Sequence, residues 1–236
     1  TMRYGVSYTY FAGQVTESGL QVTKENIAMN LASVYASWRS NNFFVTPQAN
    51  VGYASYDNQR RVVAGPITRR AISDWSSFLT SGGVTSGYVM DLGAFQVIPH
   101  VSIDGLYMYD SAYTERLGGN GVNLALSSRT TRSVRLFAGV IAQTEFMLED
   151  GIMKPQILAG WSKDIVNDRP VIDASFEAAP GSDFAVVGPV TDSSRIIGGA
   201  SFSYLFDNWS AAFNYDASHS SGALSQSASI SMTSRF

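Results

Sequence analysis

The stretch ALSQSASISMTSRF, residues 223–236, alternates apolar and polar positions along its length. Leu224, Ala228, Ile230, Met232 and Phe236 fall on even positions; Ser225, Ser227, Ser229, Ser231, Thr233 and Arg235 fall on odd ones. Only Gln226 and Ser234 interrupt the even row. A period of two means an extended strand with one apolar and one polar face. The same period runs through MRYGVSYTY, where Met2, Tyr4, Val6, Tyr8 and Tyr10 share a face. In VRLFAGVIAQTEF one face carries Val134, Leu136, Ala138, Val140, Ala142 and Phe146, and the other Arg135, Gly139, Gln143 and Glu145. The pattern predicts ten strand segments, at about 2–11, 26–40, 43–57, 71–90, 94–110, 122–148, 152–165, 194–206, 209–216 and 223–236. Several reach the ~9–11 residues with which a tilted strand crosses a bilayer. NIAMNLASVYASW, within 26–40, has no clear assignment of faces.

Two kinds of connection alternate between these segments. Tight turn signals stand at 40–42, 91–93, 149–151 and 207–208. Long connections are predicted at about 12–25, 58–70, 111–121, 166–193 and 217–222. Short turns at one end and long loops at the other are the pattern of an outer-membrane barrel, and a soluble sandwich has no reason to segregate them. Centring one hairpin between Asp207 and Asn208 pairs Phe206 with Trp209, Phe202 with Phe213, and Ala200 with Tyr215, all apolar-face residues. Centring another on Asp150 and Gly151 pairs Phe146 with Pro155 and Thr144 with Ile157. A one-residue slip in either would mix the faces. Aromatics segregate as well. Phe43, Phe95, Phe146, Phe206 and Trp209 lie beside the short turns, with Phe236 at the equivalent end. Tyr10, Tyr53, Tyr107, Tyr109, Trp161 and Tyr215 lie toward the long connections. Such girdles flank the apolar band of a membrane barrel. Pro47, Pro99 and Pro155 each follow a tight turn by a few residues and are expected at one rim, where a strand starts or bulges.

Composition agrees and excludes several chemistries. The 236 residues suffice for one large β domain. Charged residues make up 15%, well below the usual quarter. No apolar run approaches the ~18–20 residues of a membrane helix. A net charge of -3 offers no basic field for nucleic acid. The chain has no cysteine, hence no disulfide framework or thiolate metal site. Its two histidines, His100 and His219, are too far apart in sequence for a metal-ligand spacing. His219 sits in DASHSSG, a polar loop better read as a solvated turn than as a nucleophile with its base. GGNG at 118–121 lacks the strand–turn–helix context of a phosphate loop, and no cofactor motif appears elsewhere. Arginine pairs at 60–61 and 69–70 fall in or beside a predicted loop, where solvation explains them and contact with anionic sugars or lipid is the sharper alternative. No signal peptide opens the chain at Thr1, so export implies processing or a longer precursor.

On the barrel reading the polar face points inward. It then carries Arg3, Gln48, Asn50, His100, Asp104, Arg135, Gln143, Glu145, Lys154, Gln156 and Arg235. Both signs of charge occur, so they can pair, and a water-filled lumen makes them cheap to hold. Glu145 and Lys154 are expected as neighbours across the 149–151 turn. The set serves either lumen packing or a polar sleeve around a threaded segment, and periodicity does not separate the two.

The stretches YMYDSAYTERLGGNGVNLALSSRTTRSVRLFAGV, GIMKPQILAGWSKDI and ASFEAAPGSDFAVVGP, with YDNQRRV and the terminal SRF, resemble the translocator β-domain of autotransporters, the type V secretion proteins of Gram-negative bacteria. The resemblance implies a twelve-stranded outer-membrane barrel, plugged by an upstream helix, that carries its N-terminal passenger to the cell surface. It implies no enzymatic activity or cofactor. It places the short turns and the C-terminus in the periplasm and the long loops outside. The partners it implies are outer-membrane lipid, the barrel-assembly machinery and the chain's own passenger in the lumen, around a monomer. The last strand is then the assembly signal, through Ile230, Met232 and Phe236, with Ser234 where the family often has an aromatic. Residues 1–236 are expected to form a single translocator domain, with two strands, the plug helix and the passenger lying upstream. A small porin or adhesin barrel is the alternative, and a soluble all-β binding domain a third reading.

Overall fold

The computed structural model describes residues 1–17, 23–119, 121–169, 171–179, 181–188 and 193–234. The strands are β1 (Met2–Thr16), β2 (Thr23–Ser40), β3 (Phe43–Ala64), β4 (Ile67–Tyr88), β5 (Met90–Asp91), β6 (Gln96–Asp110), β7 (Tyr113–Thr114), β8 (Leu124–Leu126), β9 (Arg129–Gln143), β10 (Phe146–Leu148), β11 (Gly151–Asn167), β12 (Val171–Phe176), β13 (Phe184–Val187), β14 (Ser194–Phe206), β15 (Trp209–Ser220) and β16 (Ala223–Ser234). The main sheet follows the path β1-β2-β3-β4-β6-β9-β11-β14-β15-β16, antiparallel throughout. β5 and β10 pair with β6 and β11 on the same register as β4 and β9, so they continue those two strands. The ten positions along this path match the ten segments expected from periodicity.

Burial is inverted relative to a water-soluble fold. The largest fully buried side chains are serines, Ser77 and Ser162, and the buried apolar residues are only Ala54, Ala71, Val89 and Ala174 among those described. Tyr4, Val6, Ile157, Ile196 and Ile230 are all more than 60% exposed. The register joins the exposed apolar residues into one face, as in the run Val34–Ala49 and Ala32–Val51 between β2 and β3. It also settles the faces of β2: Val34 and Ala32 pair with Val6 and Tyr8 on the apolar side, Tyr35 and Ser37 with Gly5 and Arg3 on the polar side. The polar face is concave. Arg3, Ser37, Phe44, Gln96 and Gln143 line one cavity of about 450 Å³ although they come from strands as far apart as β1 and β9. Neighbouring strands lie ~4.8 Å apart, so only a strongly curled sheet brings these residues together.

The tight turns lie where the sequence puts them. Asn41 and Asp207 adopt left-handed backbone conformations (φ 52° and 44°), which Asn and Asp tolerate better than other non-glycine residues. The predicted pairs Phe206–Trp209, Phe202–Phe213 and Ala200–Tyr215 are present. The 149–151 hairpin differs by two residues: Phe146 pairs with Met153 and Leu148 with Gly151, so the loop is Glu149–Asp150. A shift of two keeps every side chain on its face, which is why the facing pattern alone did not fix it.

The three prolines are equivalent. The β2–β3 pairing is interrupted between Tyr35↔Gln48 and Trp38↔Val45, opposite Pro47. β4 gives way to β5 at Val89, opposite Ile98 and beside Pro99. β9 gives way to β10 at residues 144–145, opposite Pro155. In each hairpin the missing proline N–H coincides with a break in the ladder toward the preceding strand.

Several expected loops are structured. Residues 58–70 continue β3 and β4 to a two-residue turn at Gly65–Pro66, with Gly65 at φ 58°. Residues 217–220 likewise extend β15, and Gly222 (φ 89°) closes that hairpin. β1 and β2 extend into the expected 12–25 connection as far as Thr16 and from Thr23. These stretches are rich in polar residues and lack the apolar alternation that marks a strand; a strand beyond the bilayer has no need of an apolar face. The connections at 111–128 and 168–193 contribute a second sheet of order β13-β12-β8-β7, and the predicted segment 122–148 divides into β8, β9 and β10. The outer edges of β1 and β16 have no strand partner among the described residues.

Candidate pore and its mouth

Strand alternation sends one residue in two into the concavity, and the register stacks these residues into rows across the sheet. One row runs Gln48, Gly83, Asp104, Arg135, Asp164. Asp164 is the hub, with 4% of its side chain exposed. Arg135 Nε donates to its Oδ1 at 2.7 Å and Arg195 Nη2 to its Oδ2 at 2.7 Å. Asp104, the register partner of Arg135, balances the second cation, so the four side chains carry no net charge at this wall. Asp104 accepts a bond from Ser102 Oγ at 2.9 Å, and Asn50 Nδ2 donates to Ser81 Oγ at 2.9 Å. Gln48, Asn50, Asp104 and Arg135 together line a polar cavity of about 250 Å³.

Aromatic rings on this face lie over glycines. The Phe137 ring occupies the place of a Cβ at both Gly139 and Gly160, Tyr35 does so at Gly5, and Phe44 at Gly87. Without those glycines the rings have no room to lie flat against the sheet wall. His100 packs against Phe137 with ring centroids 5.2 Å apart, so the one inward histidine is an aromatic neighbour rather than a solitary base.

The other predicted polar positions fall as follows. Gln143 Nε2 donates to Gln96 Oε1 at 2.9 Å, and Gln156 is the register partner of Gln143. Lys154 Nζ and Glu145 Oε1 form the expected ion pair at 2.7 Å. Arg3 lines the cavity shared with Gln96 and Gln143. Arg235 and Phe236 lie outside the described residues. Ile230 and Met232 face the apolar side opposite Phe213 and Ala211. Asp164 and Arg195 were missed in the sequence. Asp164 shares parity with Lys154 and Gln156, but Leu158, Gly160 and Ser162 intervene and hide the polar row.

A second constellation closes the end away from the short turns. Arg60 binds Glu115 through two bonds, Nε–Oε1 at 2.9 Å and Nη2–Oε2 at 2.5 Å, and Nη2 also donates to the Val122 carbonyl at 3.1 Å. Glu115, 4% exposed, also accepts from the Leu124 amide at 3.0 Å. Tyr56, Trp75 and Tyr113 stack in succession, with centroids 4.9 and 4.5 Å apart. Asp110 accepts from Ser77 and Arg129. These contacts pin Tyr113, Glu115, Val122 and Leu124 against the polar face of β3 and β4. Arg60 lies seven residues beyond Tyr53 along β3, about 23 Å of strand at ~3.3 Å per residue, so the cluster stands outside the aromatic girdle. Burial pushes the Tyr113 phenol up to about 12, with Arg129 opposing and Glu115 reinforcing. Burial also lifts the Glu25 carboxyl above its ordinary range, opposed by Arg129 and aided by Asp110. The bond to Glu115 raises the Arg60 guanidinium against the effect of its burial. In the sequence Arg60 and Glu115 fall in two separate predicted connections, 58–70 and 111–121, and no periodicity brings them together.

The arrangement is a curled β-sheet with an apolar exterior, a polar, charge-paired interior and one end covered by its own loops. No curated protein sequence is significantly similar to the chain. Among solved structures, the translocator domain of the autotransporter NalP from Neisseria meningitidis is similar over 100% of this chain and 82% of its own, with a TM-score of 0.64 and 13% identity. The β domain of the Bordetella autotransporter BrkA is similar over 97% of this chain and 89% of its own, with a TM-score of 0.56 and 13% identity. At that identity these likenesses speak for the fold. The sequence model of the autotransporter β-domain matches residues 1–216, nearly the whole chain, and the chain therefore belongs to the autotransporter β-domain family.

Proposed function

We propose that this chain anchors an attached N-terminal passenger in the outer membrane and passes it to the cell surface, with its short turns and C-terminus in the periplasm and its long hairpins outside. One observation carries the reading: every membrane-length strand of the main sheet joins an apolar convex face to a polar concave one, and the family supplies the task for such a barrel. The concave face suits a chain in transit. The charges around Asp164 and between Glu145 and Lys154 are internally paired, so at those points a passing segment meets satisfied polar groups rather than strong binding sites. No catalytic role is assigned to any residue. The free edges of β1 and β16 cannot both face hydrocarbon, where each unpaired backbone group costs several kcal/mol. Further strands of the same protein, joining β1 to β16, complete the barrel on this reading.

The test uses the full-length precursor with an epitope in the passenger. Protease added to intact cells should remove the epitope, and Val140→Arg should abolish that accessibility. An epitope that stays protected in cells containing correctly inserted barrel contradicts the export reading. The assembly role of the last strand is tested separately. Ile230→Ser with Met232→Ser should reduce insertion in cells far more than refolding of purified protein in detergent; equal losses make these residues plain structural contacts.

A further inference from the structure

The arginine pairs at 60–61 and 69–70 are split by strand alternation. Arg60 turns to the polar face and pairs with Glu115, whereas Arg61 turns outward. Arg70 is the direct register partner of Arg61, so two guanidinium side chains leave the outer face side by side. Lys24 joins them from the next strand: it pairs with Gln59, the outward position adjoining Arg61 on β3. All three are exposed, and none of their side chains makes an ion pair or hydrogen bond among the described residues. Like charges directly opposite destabilise a strand pair. The acids on this face are Asp57 and its partner Asp74, two outward positions nearer the membrane, and Asp74 is already held by Arg116. The patch is therefore cationic.

The height of the patch limits its ligand. The same outer face is apolar at Val51, Tyr53 and Phe78. Arg61 lies eight residues beyond Tyr53, about 26 Å of strand at ~3.3 Å per residue and roughly 20 Å above the girdle at a tilt near 40°. Phospholipid head groups extend only about 5–8 Å beyond the hydrocarbon and do not reach it. An anionic saccharide carried on a lipid does. We propose that Lys24, Arg61 and Arg70 bind the phosphate- or carboxylate-bearing sugars of a membrane-anchored glycolipid packed against the outside of the barrel. The proposal rests on the orientation given above, with the β3–β4 hairpin outside the cell.

The experiment uses the full-length protein in phosphatidylcholine vesicles doped with a fluorescent phosphorylated glycolipid bearing an extended anionic core. Lys24→Gln with Arg61→Gln and Arg70→Gln should weaken association by about tenfold, as expected of three exposed charge contacts, and should flatten its salt dependence. Arg69→Gln, on the opposite face of the same hairpin, serves as the control and should change nothing. Glycolipid whose core sugars carry neither phosphate nor carboxylate, and glycolipid truncated to its lipid-proximal sugars, should bind as weakly as the triple variant. Unchanged binding in the triple variant, or an equal loss in Arg69→Gln, overturns the site. Equal binding of the soluble oligosaccharide overturns its assignment to a membrane-anchored ligand. Passenger exposure in the triple variant should match wild type, so loss of the site and failure of export are read independently. Labelling of Pro66→Cys in intact cells reports the orientation by itself.

Discussion

Val140 and Gln143 stand three positions apart on β9 and on opposite faces, which makes them a test of facing at single-residue resolution. Val140 is 44% exposed on the convex side, opposite Pro99 and Ala159. Val140→Arg should cost ~2–4 kcal/mol near the bilayer midplane, and Gln143→Arg, entering a wet polar wall, far less. Reversible unfolding in lipid vesicles measures both; equal costs contradict the alternation. Gly160 tests the inner wall. A β-branched side chain there collides with the Phe137 ring, so Gly160→Val should destabilise, and Phe137→Ala should relieve part of that loss in the double variant. Purely additive losses would mean that the ring and the glycine do not share the space. Asp164→Ala leaves Arg135 and Arg195 without their acceptor and should cost about 1–3 kcal/mol, reduced by the water that reaches the partly exposed arginines. Legibility at this scale follows sequence separation. Glu145 and Lys154 are nine residues apart across one tight turn, so alternation and the turn alone predicted their pairing. Asp164 and Arg195 meet across the 166–193 connection, whose length hides the register, and Arg60 and Glu115 lie on elements that look like loops until their register is known.

The hairpin is the element at which sequence and structure agree best on the short-turn side and least on the other. Short turns were readable because Asn, Asp and Gly mark them chemically. Strand ends beyond the membrane were not, because the apolar alternation that signals a strand stops at the girdle while hydrogen bonding continues. The second sheet was illegible for a related reason: β7 and β8 have two and three residues, too few to display a period. What holds them is the latch of Arg60, Glu115 and Tyr113. Arg60→Met should leave the buried Glu115 carboxylate with the Leu124 amide as its remaining described partner and loosen residues 111–128 by about 1–3 kcal/mol, a buried-pair loss discounted for Arg60's partial exposure. Hydrogen exchange at the Leu124 amide reads this loosening directly, and unchanged protection contradicts the latch. Tyr113 gives the pH dependence. Its folded pKa, about 12, lies above the ordinary 10.0. The stability linked to its neutral phenol is therefore complete below about pH 10 and lost as pH rises through about 12. The difference in phenolate absorbance between wild type and Tyr113→Phe should show one phenol titrating near 12, whereas a difference centred on 10 would mean that the phenol is solvated.

The whole molecule reads as one amphipathic sheet rolled with its polar side inward. That much was legible in the sequence because period-two alternation repeats across the chain and the turn lengths segregate by end. The direction of curl was not contained in any one strand; it emerges from residues of distant strands meeting across the concavity. Family membership then assigns the barrel its task of outer-membrane anchoring and passenger translocation, and the charge-paired interior fits a conduit better than a store. All of this depends on the convex face being the one in lipid. The most direct test is a cysteine scan of residues 134–143 on β9 in vesicles, each position carrying a fluorophore challenged with a lipid-soluble quencher. Strong quenching at 134, 136, 138, 140 and 142, with protection at 135, 137, 139, 141 and 143, is the outcome this fold requires; quenching without alternation, or strongest at the odd positions, contradicts it.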